Sequence, residues 1–157
     1  EQLNITGGTL TVNAGGDGID SNGSITISGG ATTIYGPENG ANGALDYNGT
    51  MTLSGGTLLA IGPSDMAQAP SSTQGQGWIS STVSGSAGST ITISDAQGLV
   101  LASDTSPKAF TSLVFSSANM TAGAQYTLSI DGVSTSVTAG EPGAGQRGGG
   151  QMPGPRG

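Results

Sequence analysis

Three aspartates and three asparagines in the first third of the chain have the types and spacing to do chemistry. Asp17, Asp20 and Asn22 fall on one short stretch, and Asn42, Asp46 and Asn48 on another. If the two stretches stack, Asp46 lies over Asp20 at about 5 Å, the separation of neighbouring strands. Carboxylates that close repel each other unless something neutralises them. A hard cation would do so: calcium takes six to eight oxygens, and Asp17, Asp20 and Asp46 could supply some of them, with backbone or Asn22, Asn42 and Asn48 carbonyls supplying others. The alternative is that Asp and Asn here only make turn hydrogen bonds. Spacing alone leaves both readings open.

A catalytic use of the same carboxylates is disfavoured by what surrounds them. Glycoside hydrolysis needs an acid and a base held at a set distance, and Asp17 with Asp20 could imitate such a pair. The chain of 157 residues has no histidine and no cysteine, which removes imidazole and thiolate chemistry, soft-metal ligands and disulfides together. Its basic residues are Lys108, Arg147 and Arg156, none of them near the acidic stretches. The expectation is a protein that is not an enzyme.

The elements that would position these residues follow from a repeat. Gly18-Ile19-Asp20-Ser21-Asn22-Gly23-Ser24-Ile25-Thr26-Ile27-Ser28-Gly29-Gly30 matches Ala44-Leu45-Asp46-Tyr47-Asn48-Gly49-Thr50-Met51-Thr52-Leu53-Ser54-Gly55-Gly56 nearly position for position, with Asp46 standing where Asp20 does. A partial copy, Leu3 to Val12, comes earlier still, with Ile5 in the place of Ile27. Short alternating strands that recur with a period of roughly 20–30 residues point to a solenoid. Side chains alternate between faces along a strand, so Leu3/Ile25/Met51 and Ile5/Ile27/Leu53 should form inward ladders. Asn4/Thr26/Thr52 and Thr6/Ser28/Ser54 should form the polar outward ones. Beyond the glycine corners at 7–8, 29–30 and 55–56, Leu10/Thr32/Leu58 and Val12/Ile34/Ala60 turn inward, and Ile19, Leu45 and Met66 supply a third face. Paired glycines suit such corners because glycine reaches positive φ at little cost.

From Trp78 the repeat gives way to a meander, with strands expected near 78–83, 89–94, 98–102, 109–116, 124–130 and 132–138. Asp131-Gly132 between Ile130 and Val133 is a hairpin turn signal. The expected fold class is therefore all-β: a short right-handed parallel β-helix over 1–70, a linker loop at 71–77, an antiparallel capping module over 78–139, and a Gly/Pro-rich tail over 140–157. The tail offers almost nothing to bury, and its composition predicts that it is unstructured.

Alternation also places Asn13/Tyr35/Ile61 and Thr11/Thr33/Leu59 outward, so Tyr35, Leu59 and Ile61 form an apolar group where polar residues are expected. Such a group marks either a contact surface or a face covered by the capping module or a neighbouring chain. Tyr35 with Tyr47 and Trp78 could stack sugar rings, although Trp78, opening the meander, is placed like a core anchor.

Charge and composition narrow the setting. The formal net charge is −7, and the six acids of the first half precede any basic residue, which disfavours nucleic acid and anionic lipid as partners. No apolar run approaches the roughly 20 residues of a membrane span. Thirty glycines, many Ser and Thr and a single lysine suit the exterior or cell surface of a bacterium. A start at Glu1 with no leader suggests a processed or excised chain.

The motifs Gly16-Asp17-Gly18-Ile19-Asp20-Ser21-Asn22-Gly23, Gly43-Ala44-Leu45-Asp46-Tyr47-Asn48-Gly49 and Met66-Ala67-Gln68-Ala69-Pro70 resemble those of secreted bacterial carbohydrate-binding domain-containing proteins. These are calcium-binding parallel β-helices similar in shape to pectate lyases. The resemblance runs from about residue 3 to 138. It implies a cellulose- or pectin-like polysaccharide as ligand and calcium at the acidic stretches. A lyase of that shape would want an Arg or Lys base beside calcium, and the repeats contain none.

A second expectation is assembly. Leu3, Ile5, Leu10 and Val12 lie on the first strands of the repeat, and nothing in the sequence caps them. They are candidates for self-association into a homo-oligomer or an extracellular filament of identical subunits, stacked end to end, with the tail crossing each junction.

Overall fold

The computed structural model describes residues 2–38, 43–63, 70, 72–73 and 76–140. Every regular element among them is a strand. β1 (Gln2–Ile5) and β2 (Thr9–Asn13) flank the first glycine corner. The corresponding stretches of the two later repeats each run as one long bent strand, β4 (Ser24–Tyr35) and β6 (Met51–Gly62). The short strands β3 (Ile19–Ser21) and β5 (Leu45–Tyr47) lie ahead of them.

Pairing among these strands is parallel and keeps the register that alternation requires. Leu3 pairs with Ile25 and Ile25 with Met51; Val12 pairs with Ile34 and Ile34 with Ala60. The inward residues Ile25, Ile27, Ile34, Met51, Leu53 and Leu58 are fully buried. The second glycine of each corner, Gly8, Gly30 and Gly56, has φ of 79°, 83° and 75°, a region side chains rarely adopt. At the corner the register between β4 and β6 slips by one, so Ser28 faces Gly55 instead of Ser54.

The expected right-handed parallel β-helix is not what forms. After β6 the chain passes β7 (Ser72–Thr73) and β8 (Trp78–Ser81), and β11 (Ser112–Ser117) runs antiparallel to both β6 and β8. The result is a seven-stranded mixed sheet in the order β1–β4–β6–β11–β8, with β2 on β4 and β7 on β6, and it does not close into a solenoid. The reason lies in β6 itself. Leu58-Leu59-Ala60-Ile61 is apolar at four consecutive positions, and all four are buried. A strand apolar on both faces needs cover on both. Leu113-Val114-Phe115 of β11, likewise apolar without a break, lies beside it with both of its own faces buried.

A second sheet, of four antiparallel strands, covers that far face. β9 (Thr90–Asp95), β10 (Val100–Thr105), β12 (Gln125–Ile130) and β13 (Val133–Thr138) stand in the order β10–β9–β12–β13. Asp131-Gly132 closes the β12–β13 hairpin with both residues at positive φ, 51° and 85°. The Asp131 carboxylate accepts hydrogen bonds from the Thr90 amide and the Ser89 hydroxyl, which hold it below the usual carboxylate range.

Two apolar clusters result. Ile19, Ile25, Ile27, Ile34, Leu45, Met51, Leu53 and Leu58 form one, on the inward side of the repeats. Leu59, Ile61, Ile91, Ile93, Phe115 and Leu128 belong to the other, between the two sheets. β6 contributes to both. Among the described residues no helix is long and apolar enough to cross a membrane. Met66 and the tail from residue 141 onward lie outside the described residues.

Candidate functional site

The acidic site is built by the pairing of β3 with β5. Ile19 sits against Leu45, Asp20 against Asp46 and Ser21 against Tyr47. Ile19, Ser21, Leu45 and Tyr47 are buried, so alternation turns both aspartates outward on the same side. Just ahead of β3, the amides of Gly18 and Ile19 donate to the carbonyls of Gly43 and Ala44, and Asp17 Oδ1 accepts the Gly43 amide at 2.9 Å. Gly18 permits this close approach, because a Cβ there would lie 2.5 Å from the Ala44 carbonyl oxygen.

One carboxylate oxygen from each of Asp17, Asp20 and Asp46 lies within 4.8 Å of the others. Asp17 and Asp46 are half-buried and Asp20 is exposed. Burial, a proton shared with Asp17 and the charges of Asp17 and Asp20 push the Asp46 carboxyl above its ordinary value. The cluster can therefore keep a proton on Asp46 more readily than an isolated carboxylate would, or offer hard oxygens to a cation such as calcium. Of the other expected ligands, Asn22 and Asn48 are exposed on the adjoining turns, and the Asn48 backbone amide donates to the Ser21 carbonyl. Asn42 lies outside the described residues.

The aromatic residues do not form a platform. Tyr47 and Trp78 are 8% and 3% exposed and pack in the first apolar cluster. Tyr35 is half-buried against the second cluster, and its hydroxyl donates to Asp104 at 2.5 Å. Desolvation and the Asp104 carboxylate push the Tyr35 phenol up to about 12. Leu59 and Ile61, whose outward placement left open a contact surface, are covered by β11 and the second sheet.

Comparison with family models, curated proteins and solved structures finds no match to this chain.

The remaining described charges serve the structure. Lys108 Nζ donates to the Ala14 carbonyl at 2.8 Å, and Glu38 accepts the Ala109 amide at 3.0 Å. Together with Tyr35–Asp104 these contacts tie the repeats to the meander, joining partners that are far apart in the sequence. Sequence reasoning missed this role, because nothing in the period predicts which distant loop reaches back. An open depression of about 470 Å³ beside β13, lined in part by Val83, Ser86, Ile130 and Val133, also contains Asp131. That carboxylate is already committed to Ser89 and Thr90.

The first strand pair is the other feature of note. Leu3, Ile5 and Val12 are only partly buried and Leu10 is 39% exposed. Their ladder partners Ile25, Ile27, Ile34 and Thr32 are at 0, 0, 0 and 1%. Each of the four residues takes the same place in the alternation as its partner. The difference is that β4 has a strand on each side, whereas among the described residues β1 and β2 pair only with β4.

Proposed function

We propose that this protein is a non-catalytic β-structural module that works by strand addition at the outer edge of β1 and β2. The observation that carries the reading is the contrast in burial within one ladder, 39% at Leu10 against 1% at Thr32 and 0% at Leu58. The apolar pattern of β1 and β2 is that of strands flanked on both sides, and a further strand would cover it. Natural sheet edges are usually blunted by lysine, proline or inward-pointing charge. Gln2-Leu3-Asn4-Ile5 and Thr9-Leu10-Thr11-Val12-Asn13 carry none of these. The structural use of Lys108, Glu38, Asp104 and Asp131 supports the non-catalytic half of the reading, since each of these groups holds two parts of the fold together.

End-to-end stacking of identical subunits does not fit the same geometry. The far side of β6 is taken by β11 along Thr57–Gly62 and by β7 at Thr52 and Leu53, so among the described residues the set β1/β2–β4–β6 offers one open edge and not two. A direct test is to titrate a fluorescein-labelled peptide of residues 2–13 with the protein and follow anisotropy. Saturable binding that Leu10→Asp abolishes is the expected result. No binding up to the solubility limit of the peptide would contradict strand addition.

A further inference from the structure

The first glycine of each corner pair has a visible reason to be glycine at two corners out of three. Gly7, Gly29 and Gly55 all lie outside the left-handed region, which belongs to the second glycine of each pair. Backbone conformation therefore does not demand glycine at these positions; close approach does. A Cβ on Gly29 would lie 2.5 Å from the carbonyl oxygen of Thr6, and one on Gly55 would collide with the carbonyl oxygen of Ser28. In both cases the corner of the preceding strand pair presses its carbonyl into the space a side chain would need. At Gly7 nothing lies within 4 Å of that space.

We infer that the outer edge of β1 and β2 accepts a polypeptide segment of this same strand–glycine–strand pattern, running parallel to them, whose corner carbonyl seats over Gly7 as that of Thr6 seats over Gly29. The inference rests on the strand-addition reading and adds the partner's direction and chemistry. A parallel segment in this register places apolar residues over Leu3, Ile5, Leu10 and Val12 and polar ones over Asn4 and Thr11, continuing both faces. It also pairs the outer backbone groups of β1 and β2, which have no strand beside them among the described residues. A second copy of this chain supplies no such segment in parallel, because the far side of its β6 is occupied. The partner is therefore a repeat whose own outer edge is open on the β4-like side.

The test uses the full chain and an extended chain in which Gln2–Gly23 is duplicated immediately ahead of Gln2, each with and without Gly7→Ala. Here Gly7 means the original corner, which the duplicate would cover. Thermal unfolding and hydrogen exchange are read for all four proteins. The expected result is that the added strands gain protection and that Gly7→Ala lowers Tm by about 5 °C or more in the extended chain, while leaving the original chain's Tm unchanged or slightly raised. If the added strands are protected but Gly7→Ala is harmless in both chains, the parallel corner is wrong and strand addition stands. Added strands that exchange freely would overturn the inference, leaving strand addition to be judged by the peptide titration. Loss of stability on Gly7→Ala in the original chain would also overturn it, since Gly7 would then have its reason within the chain.

Discussion

Replacing Thr32 by valine should stabilise the protein. Thr32 is 1% exposed and sits in the inward ladder between Leu10 and Leu58, and its Oγ1 is buried without a hydrogen-bond partner. An unsatisfied buried hydroxyl costs about 1–3 kcal/mol, because the group gives up water and gains nothing. Valine has the same branched shape, so the packing of the ladder is kept while the hydroxyl is removed. Taking the lower half of that range, the gain is about 1–2 kcal/mol, which for a chain of this size raises Tm by about 2–8 °C. Thermal and urea unfolding followed by circular dichroism measure it, with an unchanged urea m-value showing that stability and not compactness has moved. Thr33→Val, on the opposite face and only half-buried, is the control, expected within about 0.5 kcal/mol of the parent. A Tm for Thr32→Val equal to or below that of the parent would refute the reasoning.

Other consequences follow from the site and the clasps. Asp46 has its pKa raised in the folded state, so it binds more protons folded than unfolded between its ordinary value of 3.8 and the raised one. Stability should therefore fall as pH rises through that window, and Asp46→Asn should flatten the profile. If calcium occupies Asp17, Asp20 and Asp46, excess chelator lowers Tm and Asp20→Ala abolishes the sensitivity; an unchanged melt in chelator contradicts calcium. The Tyr35 phenol, at about 12 folded against 10.0 ordinarily, contributes stability that is complete below pH 10 and lost as pH rises towards 12. Spectrophotometric titration at alkaline pH checks this, with Asp104→Asn expected to bring the phenol down. Lys108→Met removes the donor to the Ala14 carbonyl and should cost about 1 kcal/mol, since the contact is only partly buried. For the polysaccharide implied by the family resemblance, affinity electrophoresis in pectin is the check: retardation supports it, and its absence leaves the structural role.

Much of the local structure was legible because it is periodic. Ile25 under Leu3, Asp46 beside Asp20 and the positive φ at Asp131-Gly132 all follow from alternation, the offset between repeats and turn chemistry, each of which is written in neighbouring residues. The fold class was not legible from the same pattern. Ser112 pairs with Gly62, far back along the chain, with no period to announce it, and the antiparallel continuation through β11 and β8 turns a stack of repeats into a mixed sheet. A signal did exist in Leu58–Ile61 and Leu113–Phe115, runs that break alternation and so ask for cover on both faces. The aromatic site failed for a related reason: Tyr47 and Trp78 occupy inward positions, and large aromatic side chains contribute more when buried than when displayed. The Asp17, Asp20 and Asp46 cluster was readable because it depends only on the register of β3 with β5.

The central claim is that β1 and β2 form an open edge in the chain alone. Residue-resolved hydrogen exchange on the full chain tests it most directly, since exchange reports which amides have a strand beside them. The account predicts that the Ile25, Ile27 and Ile34 amides of β4 are strongly protected, while the outward amides of β1 and β2 exchange within the first labelling times. Protection of β1 and β2 equal to that of β4 would contradict it, for the edge would then already be covered.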